Sequence, residues 1–90
     1  MINNSSHPGV FLQELLEEMN ITPYRLAKDT FMPATRVGGI IKERGSITPD
    51  TALRLAKYFN TTPDYWVSLQ SSYDLSQCHP QHIEDIQAIA

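Results

Sequence analysis

The chain has 90 residues, a net charge of −3 and a single cysteine. That length holds one domain with one modest core. The lone Cys78 excludes an internal disulfide and suits a reducing compartment. No apolar run approaches the roughly 18–20 residues of a membrane span. The opening "MINNSSHPG" lacks the basic and apolar regions of a secretory signal, so a cytoplasmic protein with no membrane partner is expected.

The charge is unevenly spread. Residues 1–33 carry a net −2, residues 34–60 a net +3 and residues 61–90 a net −4. The basic middle (Arg36, Lys42, Arg44, Arg54, Lys57) is either a local phosphate-binding face or ordinary surface charge on a helical protein.

All six prolines open an apolar-periodic segment, as expected of a residue tolerated in the first helical turn and costly further in. Thr22, Thr48 and Thr62 precede three of them as candidate N-caps. Asp50 and Asp64 follow two of them, at the positive end of the helix dipole. From Pro8 the first predicted helix presents Phe11, Leu12, Leu15, Leu16 and Met19 at helical spacing. The second runs from Pro23 to about Asp29 and presents Leu26 and Ala27. The third runs from Pro33 to about Lys42 and presents Val37, Ile40 and Ile41. The fourth, from Pro49, offers Ala52, Leu55, Ala56 and Phe59, and the fifth, from Pro63, offers Trp66, Leu69 and Tyr73. A last segment after Pro80 carries Ile83, Ile86 and Ile89. Strict alternation is absent, so strands are not expected. The reading is an all-α, compact five-helix bundle with an additional C-terminal helical segment. Residues 1–75 would form the domain and residues 76–90 a helical tail.

Chemistry-bearing side chains do not assemble into a catalytic set. His79 and His82 are three apart without a third ligand, and His7 is remote from both. The three histidines read as solvent-exposed, and neither a metal nor a cofactor is expected. Cys78 beside His79 is no argument for a nucleophile, because sequence neighbours need not face each other. An enzyme is not expected.

The second and third helices are joined by a very short turn, with Leu26, Ala27, Met32, Val37 and Ile40 at the buried spacing. This resembles the helix-turn-helix of phage-repressor type, whose second helix enters the DNA major groove. Thr30 stands where that family usually has an apolar residue, and Phe31 where it has a glycine. Either Phe31 adopts the strained left-handed conformation or the turn has another shape.

Three further stretches sharpen the resemblance: His7-Pro8-Gly9, the run from Ile47 to Ala56 ("ITPDTALRLA"), and the run from Tyr65 to Gln70 ("YWVSLQ"). From His7 to about Leu75 the chain resembles the HigA family of antitoxins, of the lambda-repressor-like DNA-binding type. The resemblance implies a homodimer that binds an inverted repeat in the promoter of its own operon and represses it. It also implies a cognate toxin partner, usually a small messenger-RNA-cleaving ribonuclease. A stand-alone helix-turn-helix repressor, or a protein-interaction module that has lost DNA binding, are the alternatives.

In such an arrangement the start of the third helix, with Ala34, Thr35 and Arg36, points into the groove. Arg36 would bond either a guanine edge or a phosphate. Gly38 and Gly39 would let the helix lie close to DNA; otherwise Gly39 packs against a neighbouring helix, or the pair has no role. Lys42 and Arg44 suit phosphates, as do Thr22, Tyr24 and Arg25 at the second helix's N-terminus. Tyr24 could equally cover the core. Arg54 and Lys57 read as solvated or dimer-edge charges. Tyr65 and Trp66 belong either to the core or, with Leu69 and Tyr73, to a dimer seam. The isoleucine stripe could close over the core, pair between subunits or grip the toxin.

Overall fold

The computed structural model describes Asn3 and residues 5–89. Met1, Ile2, Asn4 and Ala90, at the outer ends of the two expected segments, lie outside the described residues. Five α-helices follow one another: α1 (Pro8–Met19), α2 (Pro23–Thr30), α3 (Ala34–Ile41), α4 (Pro49–Phe59) and α5 (Pro63–Gln77). Among the described residues there is no strand.

The helix starts are set as the proline pattern suggests. Thr22 and Thr62 each accept a backbone N–H through Oγ1, from Arg25 at 3.1 Å and Tyr65 at 3.3 Å. Thr48 caps α4 in the same way by accepting from Thr51. Each satisfies one of the donors that a helix N-terminus leaves without an internal partner. Pro33 departs from the pattern: it is the N-cap of α3 itself and supplies no side-chain bond. Asn20 and Asn60 close α1 and α4 in left-handed conformation, which Asn tolerates better than most residues.

His7 corrects the expectation of an exposed histidine. It is buried, and its Nδ1 accepts from the Gly9 N–H at 2.9 Å, so it is the N-cap of α1. Its ring meets Tyr73 edge-on, with centroids 4.8 Å apart. The contact ties the first helix to the last. The cap gives the buried Nδ1 a hydrogen-bond partner.

Leu12, Leu16, Leu26, Val37, Ile40, Leu55 and Trp66 form the centre of the core. Trp66 is fully buried and its indole N–H donates to Thr61 Oγ1 at 2.8 Å. Gln70 is the buried polar link between α5 and the loop after α3. Its Oε1 accepts from Ile47 N–H at 2.7 Å, and its Nε2 donates to Asp74 at 2.9 Å. Thr30 fits the buried position usually held by an apolar residue because its hydroxyl donates to the Leu26 carbonyl at 2.6 Å. The hydroxyl is thereby satisfied within its own helix.

Phe31 settles the question of the turn. Its φ is +58°, left-handed, and its ring is 86% exposed. The conformation costs a β-carbon residue about 1–2 kcal/mol, and so exposed a ring recovers little by burial. Phe31→Gly should therefore stabilise the chain by about 1 kcal/mol, raising a thermal melt by roughly 4–8 °C. An unchanged or lower melting temperature would show that ring contacts offset the strain.

The tail differs from the expected helix. Helix α5 runs past Leu75 to Gln77, and beyond it only a single 3₁₀ turn, Ile83–Asp85, is helical among the described residues. Ile83, Ile86 and Ile89 are all exposed. A stripe with nothing to bury against lacks the tertiary packing that supplies most helical stability in proteins.

Candidate nucleic-acid interface

Helix α3 is anchored by Val37 and Ile40, which are buried against the rest of the core. One turn holds 3.6 residues, so that anchoring sends Thr35, Gly38, Gly39 and Lys42 to the opposite side as an i, i+3, i+4, i+7 stripe. Thr35 and Lys42 are exposed, and the two glycines partly so. Between them lies a stretch of helix without side chains.

Neither glycine is required by the fold. A β-carbon added at Gly38 would meet nothing within 4 Å, and one at Gly39 would only reach the Gly45 backbone nitrogen at 4.0 Å. Interior helical glycine is worse than alanine by about 1 kcal/mol. That cost is not recovered inside this chain, because no neighbouring helix approaches either position. The packing alternative for Gly39 is thereby removed. Gly9 is the contrast: a β-carbon there would collide with the Ile40 carbonyl.

Arg36 lies on the flank of α3 rather than on its outer stripe. Its Nη1 donates to Asp50 Oδ2 at 2.6 Å. The same oxygen accepts from Arg54 Nε at 2.9 Å, and Arg54 Nη1 donates to the Thr30 carbonyl at 2.9 Å. Hydrogen bonds from Arg54 and then Arg36 hold the Asp50 carboxyl below its ordinary pKa. Arg54 stays partly exposed and also ties α4 to the end of α2, beside the strained Phe31.

A second cluster fixes the other side of α2. Tyr58 hydroxyl donates to Asp29 Oδ2 at 2.7 Å, and Arg25 Nε reaches the same oxygen at 3.3 Å. The Tyr58 hydrogen bond, followed by that of Arg25, lowers the Asp29 pKa, and Asp29 in turn raises that of Tyr58.

The remaining candidates fall as follows. Thr22 is the exposed cap of α2. Tyr24 is exposed and does not cover the core. Ala34 opens α3 and is exposed. Lys42 and Arg44 are exposed at its end, where the Lys42 N–H donates to the Gly38 carbonyl and that of Arg44 to the Gly39 carbonyl. Among the expected seam residues, Trp66 is corrected to the core, since a fully buried indole offers no surface to a partner. Tyr65 is exposed, Leu69 is half-buried, and Tyr73 is half-buried against His7.

Comparison with known proteins agrees with this architecture. Residues 12–66 match the helix-turn-helix family model. The Virulence-associated protein I of Dichelobacter nodosus is 40% identical over 70 residues. That match covers 77% of this chain and 65% of the relative, so the chain spans just under two thirds of that protein's length. The Pseudomonas aeruginosa antitoxin HigA, solved with the higBA promoter, is 33% identical with a TM-score of 0.87, covering 96% of this chain and 99% of that one. A second Pseudomonas aeruginosa protein, solved in complex with its operator DNA, is 35% identical with a TM-score of 0.85, covering 93% and 96%. With five helices in this order, a core-anchored α3 and a match that runs nearly end to end, the chain belongs to the HigA family of helix-turn-helix proteins.

Proposed function

We propose that this protein is the antitoxin of a type II toxin-antitoxin module. As a homodimer it binds operator DNA through α3 and represses its own operon, and it neutralises a cognate messenger-RNA-cleaving ribonuclease toxin. The observation that carries the DNA half is the outer face of α3, which Gly38 and Gly39 leave bare with no internal benefit. A bare helix face can seat deeply in the major groove, with Thr35 on a base or phosphate and Lys42 and Arg44 on the backbone. Relatives solved with promoter and operator DNA support the operator-binding reading.

The supporting shell is assigned accordingly. Thr22, Tyr24 and Arg25 at the start of α2 take phosphates. Tyr65, Leu69 and Tyr73 contribute to the dimer seam. Two recognition helices would then be spaced about 34 Å apart, one turn of DNA. Residues 1–75 are the DNA-binding and dimerising part, and residues 76–90 form a tail available to the toxin. No helix among the described residues is long and apolar enough to cross a membrane, and a cytoplasmic site of action fits operator binding. Enzymatic activity is no part of this function.

The test is a band-shift titration against the protein's own upstream promoter at two salt concentrations. Tight binding to a palindromic site, weakened by salt through counterion release, is expected. Binding no stronger than to random DNA would overturn the repressor half. In the same assay Arg36→Ala should weaken operator binding by about 1–3 kcal/mol; wild-type affinity would remove Arg36 from the interface. Co-expression with the product of the neighbouring gene tests the toxin half: relief of growth arrest supports it, and unrelieved arrest opposes it.

A further inference from the structure

The charged cluster at the start of α4 carries an inference that rests on the operator-binding reading and adds to it. One oxygen, Asp50 Oδ2, receives Arg36 at 2.6 Å and Arg54 at 2.9 Å. Arg54 also holds the Thr30 carbonyl at 2.9 Å. The last turn of α2, the first turn of α3 and the first turn of α4 are thus joined through one carboxylate. Asp50 is 14 residues from Arg36 in sequence, so no local helical pairing produces the contact.

Stability does not explain the cluster. The Asp50 side chain is 55% exposed and that of Arg36 is 39% exposed, and ion pairs in such water-rich settings contribute little to folding. Direction is the larger effect. A guanidinium has five N–H donors in a rigid fork, and the contact to Asp50 uses one nitrogen, Nη1. The rest of the fork stays available at the recognition helix. A fork held in one orientation suits bidentate contact with a base edge, whereas a freely rotating arginine accepts any nearby phosphate. A carboxylate beside it also repels phosphate and so discourages the unspecific contact.

We propose that Asp50 is a specificity-determining positioning residue: it aims Arg36 at a base edge of the operator, with Arg54 holding Asp50 in register with the α2–α3 turn. Asp50 acts through Arg36 and does not itself touch DNA. Hydrogen bonds from Arg54 and then Arg36 lower its carboxyl pKa below the ordinary aspartate value, in keeping with the ionised form that the pairing requires.

The experiment uses the full chain as wild type, Asp50→Asn and Asp50→Glu. Binding is measured to operator DNA and to a duplex of equal length with scrambled half-sites. In parallel, ¹⁵N relaxation of the Arg36 Nε–H group is recorded without DNA. Asp50→Asn should reduce the operator-to-scrambled affinity ratio about tenfold, with scrambled binding equal or tighter because one negative charge is gone. The Arg36 Nε–H should become more mobile, while the thermal melt falls by only a few degrees, as loss of a first-turn acid and an exposed ion pair implies. Asp50→Glu, which keeps the charge, should restore most of the ratio. An unchanged ratio in Asp50→Asn, or an Arg36 equally ordered in both proteins, would overturn the proposal. A wild type that binds both duplexes alike would overturn the operator-binding reading and the proposal with it, and is recognised before any variant is compared.

Discussion

Gly38→Glu is expected to abolish specific operator binding while leaving the fold intact or slightly more stable. The position is helical, and a new β-carbon there meets nothing within 4 Å. Glutamate is also the better helix former, by roughly 0.5–1 kcal/mol. Folding therefore gains from the change. Binding loses for two reasons that add. The side chain occupies the space that close approach of α3 to the groove requires, and its charge faces a phosphate-lined surface. Like charges forced together at an interface cost several kcal/mol, which corresponds to a loss of more than about a hundredfold in affinity. A thermal melt and a band shift on the same preparation check both halves. Operator binding at wild-type strength would place Gly38 on a face turned away from DNA.

The opposite result is expected of Gly9→Ala, although the sequence change is smaller. Gly9 is the second residue of α1 and is buried, and a β-carbon there would collide with the Ile40 carbonyl of α3. Backbone cannot rotate aside as a side chain can. Either α1 must lift from α3, uncovering Leu12 and Leu16, or the carbonyl must shift and disturb the end of α3. Overpacking of this kind costs about 1–3 kcal/mol. Rigid backbone on the receiving side puts the estimate at about 3 kcal/mol, or a melting temperature roughly 15 °C lower. Operator binding should fall as well, because Ile40 belongs to the recognition helix. A melting temperature equal to or above that of the wild type would mean that α1 slides freely over α3.

These glycines also mark how far the sequence could be read. The helices were legible because their starts are written locally, in Thr-Pro steps and apolar residues at helical spacing. The turn at Phe31 was legible as a conflict between residue type and conformation, and the structure resolves it in favour of strain. The last segment shows the limit of periodicity. Ile83, Ile86 and Ile89 have helical spacing, yet only Ile83–Asp85 forms a 3₁₀ turn, because spacing cannot supply a surface to pack on. His7 was missed because histidine suits both solvent and core, and only the arrival of Tyr73 from α5 decides between them. An aromatic residue type suits both core and seam, and only the complete burial of Trp66 decides for the core.

The outer face of α3 could be anticipated from Thr35, the glycine pair and Lys42. The Arg36–Asp50 contact could not, because surface charges carry no record of partners far away in sequence. Half of that cluster did leave a signal: Asp50 and Arg54 are four residues apart on one helix, a spacing at which opposite charges meet. Through that pair Arg54 marks the corner where α2, α3 and α4 meet. The packing role of Gly9 is not legible in the sequence, since nothing local says which backbone will approach it.

The bare face of α3 bears on how such proteins diverge. A substitution at position 38 or 39 changes what the helix presents to a ligand without asking the core to repack. On the proposed operator-binding role, target preference and foldability are therefore uncoupled at these two positions.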